Sequence, residues 1–179
     1  LGAEHCHVKQ LRVQRQAFRE ERRELSEAEY RRLIAAARGR KDQRLYHVML
    51  TICTTGIRVS ELRFITAETL ASGRTEIRLK GKSRVVLLPR ELAQRLRQYA
   101  QARGIRSGPL FRTRTGMPLD RSNIWREMKT LCREAGVAPE KVFPHNLHHL
   151  FARSFYEQEK DLAHLADILG HSSIETTRI

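Results

Sequence analysis

The sequence predicts an α+β domain that is mainly α-helical and carries a small antiparallel β-sheet. Apolar residues recur at helical intervals in segments on both sides of a central stretch. Within that stretch, residues 75–79 alternate polar and apolar side chains, and Val85 to Leu88 form an apolar run that stops at Pro89. Residues 80–83 (KGKS) suit a tight, basic turn. We therefore expect one β-hairpin with lysines at its tip, inserted between helices.

Three helices are predicted before the hairpin. The first begins at Ser26, which has capping-box spacing to Glu29, and ends at Gly39. A second is interrupted by Gly56, and a third, short helix begins near Arg58. The apolar faces of the first two carry Tyr30, Leu33, Ile34, Ala37, Leu45, Val48, Met49 and Ile52.

The chain after the hairpin again favours helices. One carries Leu92, Leu96 and Tyr99 on one face, and residues 109–111 favour a short strand. Asp120 or Ser122 is expected to cap the next helix, and Pro144 to open another. A further helix over 162–169 is expected to end at Gly170, followed by a last turn.

Composition points to nucleic acid as the partner. Lys and Arg number 34 against 20 Asp and Glu, which gives a net charge of +14. Such an excess of cations favours binding to DNA phosphates. No apolar run is long enough to span a bilayer, and no signal peptide is visible. The cysteines, at 6, 53 and 132, show no metal-ligand spacing, so we expect reduced thiols in a cytoplasmic protein.

Four segments are similar, in order and separation, to the sequence boxes of tyrosine recombinases, the phage-integrase type. They are TTGIRVSEL at 54–62, KGKSR at 80–84, HNLHH at 145–149 and LGHSSIETT at 169–177. The resemblance implies that residues 25–179 have the fold of a tyrosine recombinase catalytic domain. Residues 1–24 are then a basic linker or N-terminal extension, which is either a solvated linker or frayed helix, or a strap along a DNA backbone.

The resemblance also implies a reaction. A tyrosine oxygen attacks a DNA phosphodiester, which gives a 3′-phosphotyrosyl bond and a free 5′-hydroxyl. Arg58 would clamp the phosphate, and Glu61 would orient Arg58 from one helical turn away. Lys80 would protonate the leaving 5′-oxygen, but the hairpin is one residue shorter than the family pattern, so Lys82 is the alternative. No metal or cofactor is implied.

The histidine boxes supply the remaining expected roles. His145 would assist proton transfer from the tyrosine, and His171 would donate a hydrogen bond to a non-bridging phosphate oxygen. His149 is expected to be structural, packing behind the site. Arg84 and Lys82 are expected to contact DNA.

Two departures from the family pattern limit the expected activity. His148 stands where the family has a second arginine, and a loss of that kind commonly lowers the rate by roughly two to three orders of magnitude. The substitution is either engineered or natural. The family tyrosine is expected one position beyond Ile179, so the sequence as written is expected to be inactive.

The full-length protein is expected to bind double-stranded DNA, and to act as a homotetramer on paired sites in the integration or excision of a phage or mobile element. A chromosome-resolving role is the weaker expectation within the same family. A non-catalytic DNA-binding regulatory protein is the alternative from another class, and an RNA-binding protein is supported by charge alone.

Overall fold

The computed structural model describes residues 24–79, 81–142, 144–159 and Ile168, and for residues 155–159 it describes the backbone. The α-helices are α1 (Glu27–Gly39), α2 (Arg44–Thr55), α3 (Thr69–Ser72), α4 (Arg90–Ala102), α5 (Arg121–Ala135) and α6 (Pro144–Glu159). Two 3₁₀ helices cover Val59–Phe64 and Pro139–Lys141. Strands β1 (Arg74–Leu79) and β2 (Lys82–Leu87) form an antiparallel hairpin. The predicted fold class is therefore confirmed. The helix predicted over 162–169 lies, except for Ile168, outside the described residues.

Local sequence signals fix several helix ends. The Ser26 hydroxyl accepts from the backbone N–H of Glu29 at 3.2 Å, and the Glu29 carboxylate accepts from the backbone N–H of Ser26 at 2.9 Å. Asp120, rather than Ser122, caps α5, because its carboxylate accepts from the N–H of Asn123 at 2.7 Å. These side chains satisfy backbone donors that have no partner within the first turn of a helix.

The hairpin turn is tighter than predicted. Lys82 already belongs to β2, where it pairs with Leu79, so the strand begins within the segment 80–83 that was predicted to be the turn. Gly81 has φ of 74°, which glycine adopts without strain and which a two-residue hairpin turn requires. Because Lys82 is part of a strand, its side chain points to one face of the sheet, and that of Ser83 points to the opposite face.

The short strand predicted at 109–111 is wrong. Pro109 makes an isolated bridge to Thr66, whereas Arg112 makes one to Pro118. The backbone changes partner within three residues, so no ladder extends along either neighbour.

The five longer helices share one apolar core. Its fully buried side chains include Leu33, Val48, Met49, Ile52, Leu96, Ile124, Met128, Leu131 and Leu147. Helix α6 packs against α2, where the Cys53 thiol lies 3.6 Å from the carbonyl oxygen of Leu147. None of the helices within the described ranges is long and apolar enough to cross a bilayer.

Candidate active site

Arg58 is placed by a sharp end to helix α2. Gly56 closes the helix with φ of 65°, and Ile57 is completely buried. Arg58 then adopts an extended backbone and begins the 3₁₀ helix Val59–Phe64. The predicted short helix after Gly56 is thus present as a 3₁₀ helix. The Arg58 side chain remains 39% exposed, so part of its guanidinium is open to a ligand.

Glu61 holds Arg58 at two points. One carboxylate oxygen, Oε2, accepts from the backbone N–H of Arg58 at 2.8 Å, and Oε1 lies 3.2 Å from Nη1 of the same residue. The Glu61 side chain is only 3% exposed. A buried carboxylate needs charged or hydrogen-bonding partners, and here the partners come from Arg58 and from the hairpin.

The partner from the hairpin is Arg84. Its Nη2 lies 2.6 Å from Oε2 of Glu61, and its Nη1 donates to the carbonyl oxygen of Ile168. Arg84 stands opposite the buried Ile77 in the sheet and two residues from the buried Val86. The alternation of β2 therefore turns Arg84 inward, where its side chain is 13% exposed. Two guanidinium groups thus share one buried carboxylate.

Lys82 lies on the same face of the hairpin as Arg84. The two are separated by one residue of β2, and side chains at that spacing share a face. Lys82 is exposed, as a residue that reaches a bound phosphate must be. Lys80, the favoured general acid in the sequence, lies outside the described residues.

The histidines of the third sequence box, residues 145–149, lie on the first turns of α6. His145 and His148 are three residues apart, and His148 is half-buried. Nε2 of His145 lies 2.7 Å from Nε2 of His149, with the two rings nearly perpendicular. Partial desolvation of the ring, with the nearby His149 and Arg121, lowers the pKa of His145. A lowered pKa favours the neutral imidazole, which is the form that accepts a proton.

These residues fall into two groups, carried by elements that pack against each other in the core. Arg58, Glu61 and Arg84 are in direct contact. The histidine helix α6 packs against α2, which leads directly into Arg58, and the contact between Cys53 and Leu147 joins the two. His171, the fifth predicted catalytic residue, lies outside the described part of the chain.

Three features of the site were not predicted from the sequence. Arg84 was predicted to contact DNA, whereas its guanidinium is bound to Glu61 and to Ile168. His149 was predicted to be structural but lies within hydrogen-bonding distance of His145. Arg121, at the start of α5, is close enough to His145 to lower its pKa. The i, i+4 spacing of the two histidines was a usable signal, because such residues are neighbours on a helix.

Chemically, the arrangement suits the binding of an oxyanion such as phosphate. A half-exposed guanidinium held by a buried carboxylate presents donors in a fixed orientation, and the net charge of +14 adds a favourable field. Among the described residues, no group of three or more His, Cys, Asp or Glu side chains is placed to hold a metal ion.

Comparison with known proteins identifies the family. Residues 23–179 match the model of the phage integrase family. The chain belongs to this family. Tyrosine recombinase XerA of Thermococcus kodakarensis is 35% identical over 147 residues, which are 78% of this chain and 50% of that protein. The chain spans about half the length of the curated relatives it matches.

Solved structures of tyrosine recombinases share the fold. A crystal structure of XerA recombinase superposes with a TM-score of 0.73 at 33% identity, covering 86% of this chain and 56% of that one. XerH recombinase, bound to its difH substrate before cleavage, gives a TM-score of 0.73 at 25% identity, covering 87% of this chain and 49% of that one. The predicted resemblance to tyrosine recombinases is therefore confirmed.

Proposed function

We propose that the described residues form the phosphate-binding part of a site-specific DNA recombinase, which cleaves and rejoins DNA through a 3′-phosphotyrosyl intermediate. The observation that carries this proposal is the Arg58 guanidinium, half-exposed and held at two points by the buried Glu61. Family membership supplies the reaction, and the geometry supplies the donor that a transferring phosphate needs.

In the proposed cleavage step, a tyrosine oxygen forms a bond to phosphorus and the bond from phosphorus to the 5′-oxygen breaks. His145, with its lowered pKa, accepts the tyrosine proton. A lysine donates a proton to the leaving 5′-oxygen, and Arg58 and His171 bind the non-bridging oxygens. Rejoining runs through the same atoms in reverse, with the 5′-hydroxyl as nucleophile.

The lysine that acts as general acid is proposed to be Lys80 or Lys82. Lys82 is supported by its exposed side chain, which lies on the same face of the hairpin as Arg84. Lys80 has in its favour its place in the sequence box. A 5′-bridging phosphorothiolate substrate separates them, because its sulfur leaves without protonation. Of the two variants Lys80→Ala and Lys82→Ala, this substrate should restore cleavage only to the one that lacks the general acid.

We propose that His148 weakens catalysis, because a half-buried imidazole provides less charge and a shorter reach than an arginine fork. The proposed partner is double-stranded DNA, bound in the cytoplasm by a homotetramer of the full-length protein. XerH, a structural relative, is bound to its DNA substrate, and this supports DNA as the partner. Integration or excision of a phage or mobile element is the proposed biological reaction.

The test uses a chain extended through the tyrosine expected after Ile179, made with His148 and as His148→Arg. Nicked duplexes tiled across the DNA that flanks the gene serve as suicide substrates, and covalent adducts are captured in detergent and sequenced. We expect adducts from both proteins, formed roughly a hundredfold faster by His148→Arg. Equal rates would show that His148 does not occupy the second arginine's place.

The sites of capture decide between the remaining functions. Adducts at the ends of a mobile element support integration and excision. Adducts at a chromosomal site unlinked to an element support the chromosome-resolving role. Duplex binding without any adduct, even by His148→Arg, supports the alternative of a non-catalytic DNA-binding regulatory protein and contradicts the proposed enzyme.

A further inference from the structure

Arg84 differs from Arg78, which lies on the other strand of the hairpin, in where its charge lies. Its side chain is 13% exposed, whereas that of Arg78 on β1 is 75% exposed and pairs with the surface residue Glu76. Little of Arg84 is therefore open to a DNA phosphate. A buried guanidinium must instead be matched by groups of the protein.

The contacts of Arg84 lead to the candidate catalytic arginine. Its Nη2 binds Oε2 of Glu61 at 2.6 Å, and the same oxygen accepts from the backbone N–H of Arg58 at 2.8 Å. The other oxygen of that carboxylate binds Nη1 of Arg58 at 3.2 Å. Because Glu61 is fixed on one side by Arg84, it can present a single orientation to Arg58.

The second contact of Arg84 lies in another part of the chain. Its Nη1 donates to the carbonyl oxygen of Ile168, which stands three positions before His171 in the sequence. One side chain therefore links the hairpin, the 3₁₀ helix that follows Arg58, and Ile168. These are separate elements that the phosphate site needs in a fixed relation.

We propose that Arg84 is a positioning residue: it holds Glu61, and through Glu61 it fixes the Arg58 guanidinium for a phosphate, while tying Ile168 to the same carboxylate. This inference rests on the proposed function of Arg58. It assigns Arg84 a role inside the protein in place of a direct contact with DNA.

The test uses the 179-residue chain, with inorganic phosphate as the probe, and the Nε–Hε resonance of Arg58 in nuclear magnetic resonance spectra as the readout. The resonance is assigned with Arg58→Lys. The variants are Arg84→Ala, Arg84→Lys and the control Arg78→Ala, which removes an equal charge from the surface of the same hairpin. All are compared at a temperature where circular dichroism shows each to be folded.

In the natural sequence, phosphate should shift the Arg58 resonance. Arg84→Ala should weaken phosphate binding by about tenfold or more and alter the Arg58 resonance before phosphate is added, because Glu61 loses its fixed orientation. Arg84→Lys should recover part of the affinity, since an ammonium restores a charge to Glu61 but not the paired donors. Arg78→Ala should stay within about twofold of the natural sequence.

A double-mutant cycle keeps the proposal testable if Arg84→Ala does not fold. In a Glu61→Gln background, Arg84→Met should cause less than about a twofold further loss of phosphate affinity, because Arg84 acts through Glu61. Independent, multiplying losses overturn the proposal, as does an Arg84→Ala variant with an unchanged Arg58 resonance and affinity.

The two proposals fail in different ways. If phosphate leaves the Arg58 resonance of the natural sequence unmoved, the proposed phosphate site is wrong. The positioning role is then still decided by the resonance without phosphate, which must respond to Arg84→Ala and not to Arg78→Ala.

Discussion

Replacing Glu61 by glutamine should destabilise the protein far more than such a small change in side-chain structure suggests. The amide keeps the shape of the side chain but has one acceptor oxygen in place of two, and it loses the negative charge. Arg84, 13% exposed, would then keep a buried positive charge with no charged partner among its recorded contacts. Removing one partner of a buried ion pair commonly costs about 3–5 kcal/mol. That is a large share of a total stability of roughly 5–15 kcal/mol.

The matched control is Glu76→Gln. Glu76 also makes two hydrogen bonds to an arginine, at 2.8 and 2.9 Å to Arg78, but its side chain is 47% exposed and that of Arg78 is 75% exposed. Solvent replaces the lost partner at such a site, so the change in the free energy of unfolding should stay within about 0.5 kcal/mol.

Urea unfolding followed by circular dichroism measures both changes. With a slope of about 2 kcal/mol per molar urea, Glu61→Gln should lower the midpoint by about 2 M, and Glu76→Gln by at most a few tenths. A double variant with methionine at both Glu61 and Arg84 should recover much of the loss, because it removes both buried charges. Equal midpoints for the two glutamine variants would refute the view that burial of Glu61 controls the cost.

Three further outcomes are expected. Affinity for duplex DNA should fall steeply with salt, with a slope in log–log form of about −0.9 per phosphate neutralised; a flat titration by fluorescence anisotropy contradicts the basic surface. His145 should titrate below its ordinary pKa in proton resonance spectra, and His149→Ala should raise that pKa, since desolvation and the charge of His149 both lower it. Because folding favours neutral His145, this group's contribution to stability should fall as pH drops below the ordinary histidine pKa. If the pKa of His145 is unchanged in His149→Ala, the proposed interaction between the two histidines is ruled out. Burial raises the pKa of the Cys53 thiol to about 12, so iodoacetamide should modify Cys53 much more slowly in the folded protein than in urea, and equal rates by peptide mass spectrometry contradict its placement beside Leu147.

Local signals in the sequence predicted the elements better than the contacts between them. The capping box at Ser26, the glycine at 56 and the aspartate at 120 each act within a few residues, and each ends or begins a helix as expected. The pairing of Glu61 with Arg84 spans 23 residues and depends on how the hairpin docks. No periodicity specifies that docking, so the sequence could place both residues near the site but not in contact.

The inward orientation of Arg84 could have been predicted with a better assignment of the turn. With residues 80–83 treated as the turn, Arg84 is not assigned to either face of the sheet. A basic residue beside lysines then suggests a contact with DNA. With β2 beginning at Lys82, the strand alternation from Val86 back through Arg84 to Lys82 is continuous and places all three on one face of the hairpin, the face on which Val86 is buried. An arginine at an inward strand position needs a buried acceptor, but the alternation alone does not identify Glu61 as that acceptor.

The shared carboxylate also bears on the substitution at His148. A site for a phosphate needs several cations, but cations placed close together repel one another before the ligand arrives. Glu61 offsets that repulsion for Arg58 and Arg84 while leaving Arg58 39% exposed. If His148 occupies the place of the family's second arginine, one positive charge is missing from this cluster and Arg58 is the principal guanidinium left to meet the phosphate. Its orientation by Glu61 then matters more in this chain than in a relative that has both arginines, because no second fork is present to compensate for a misplaced first one.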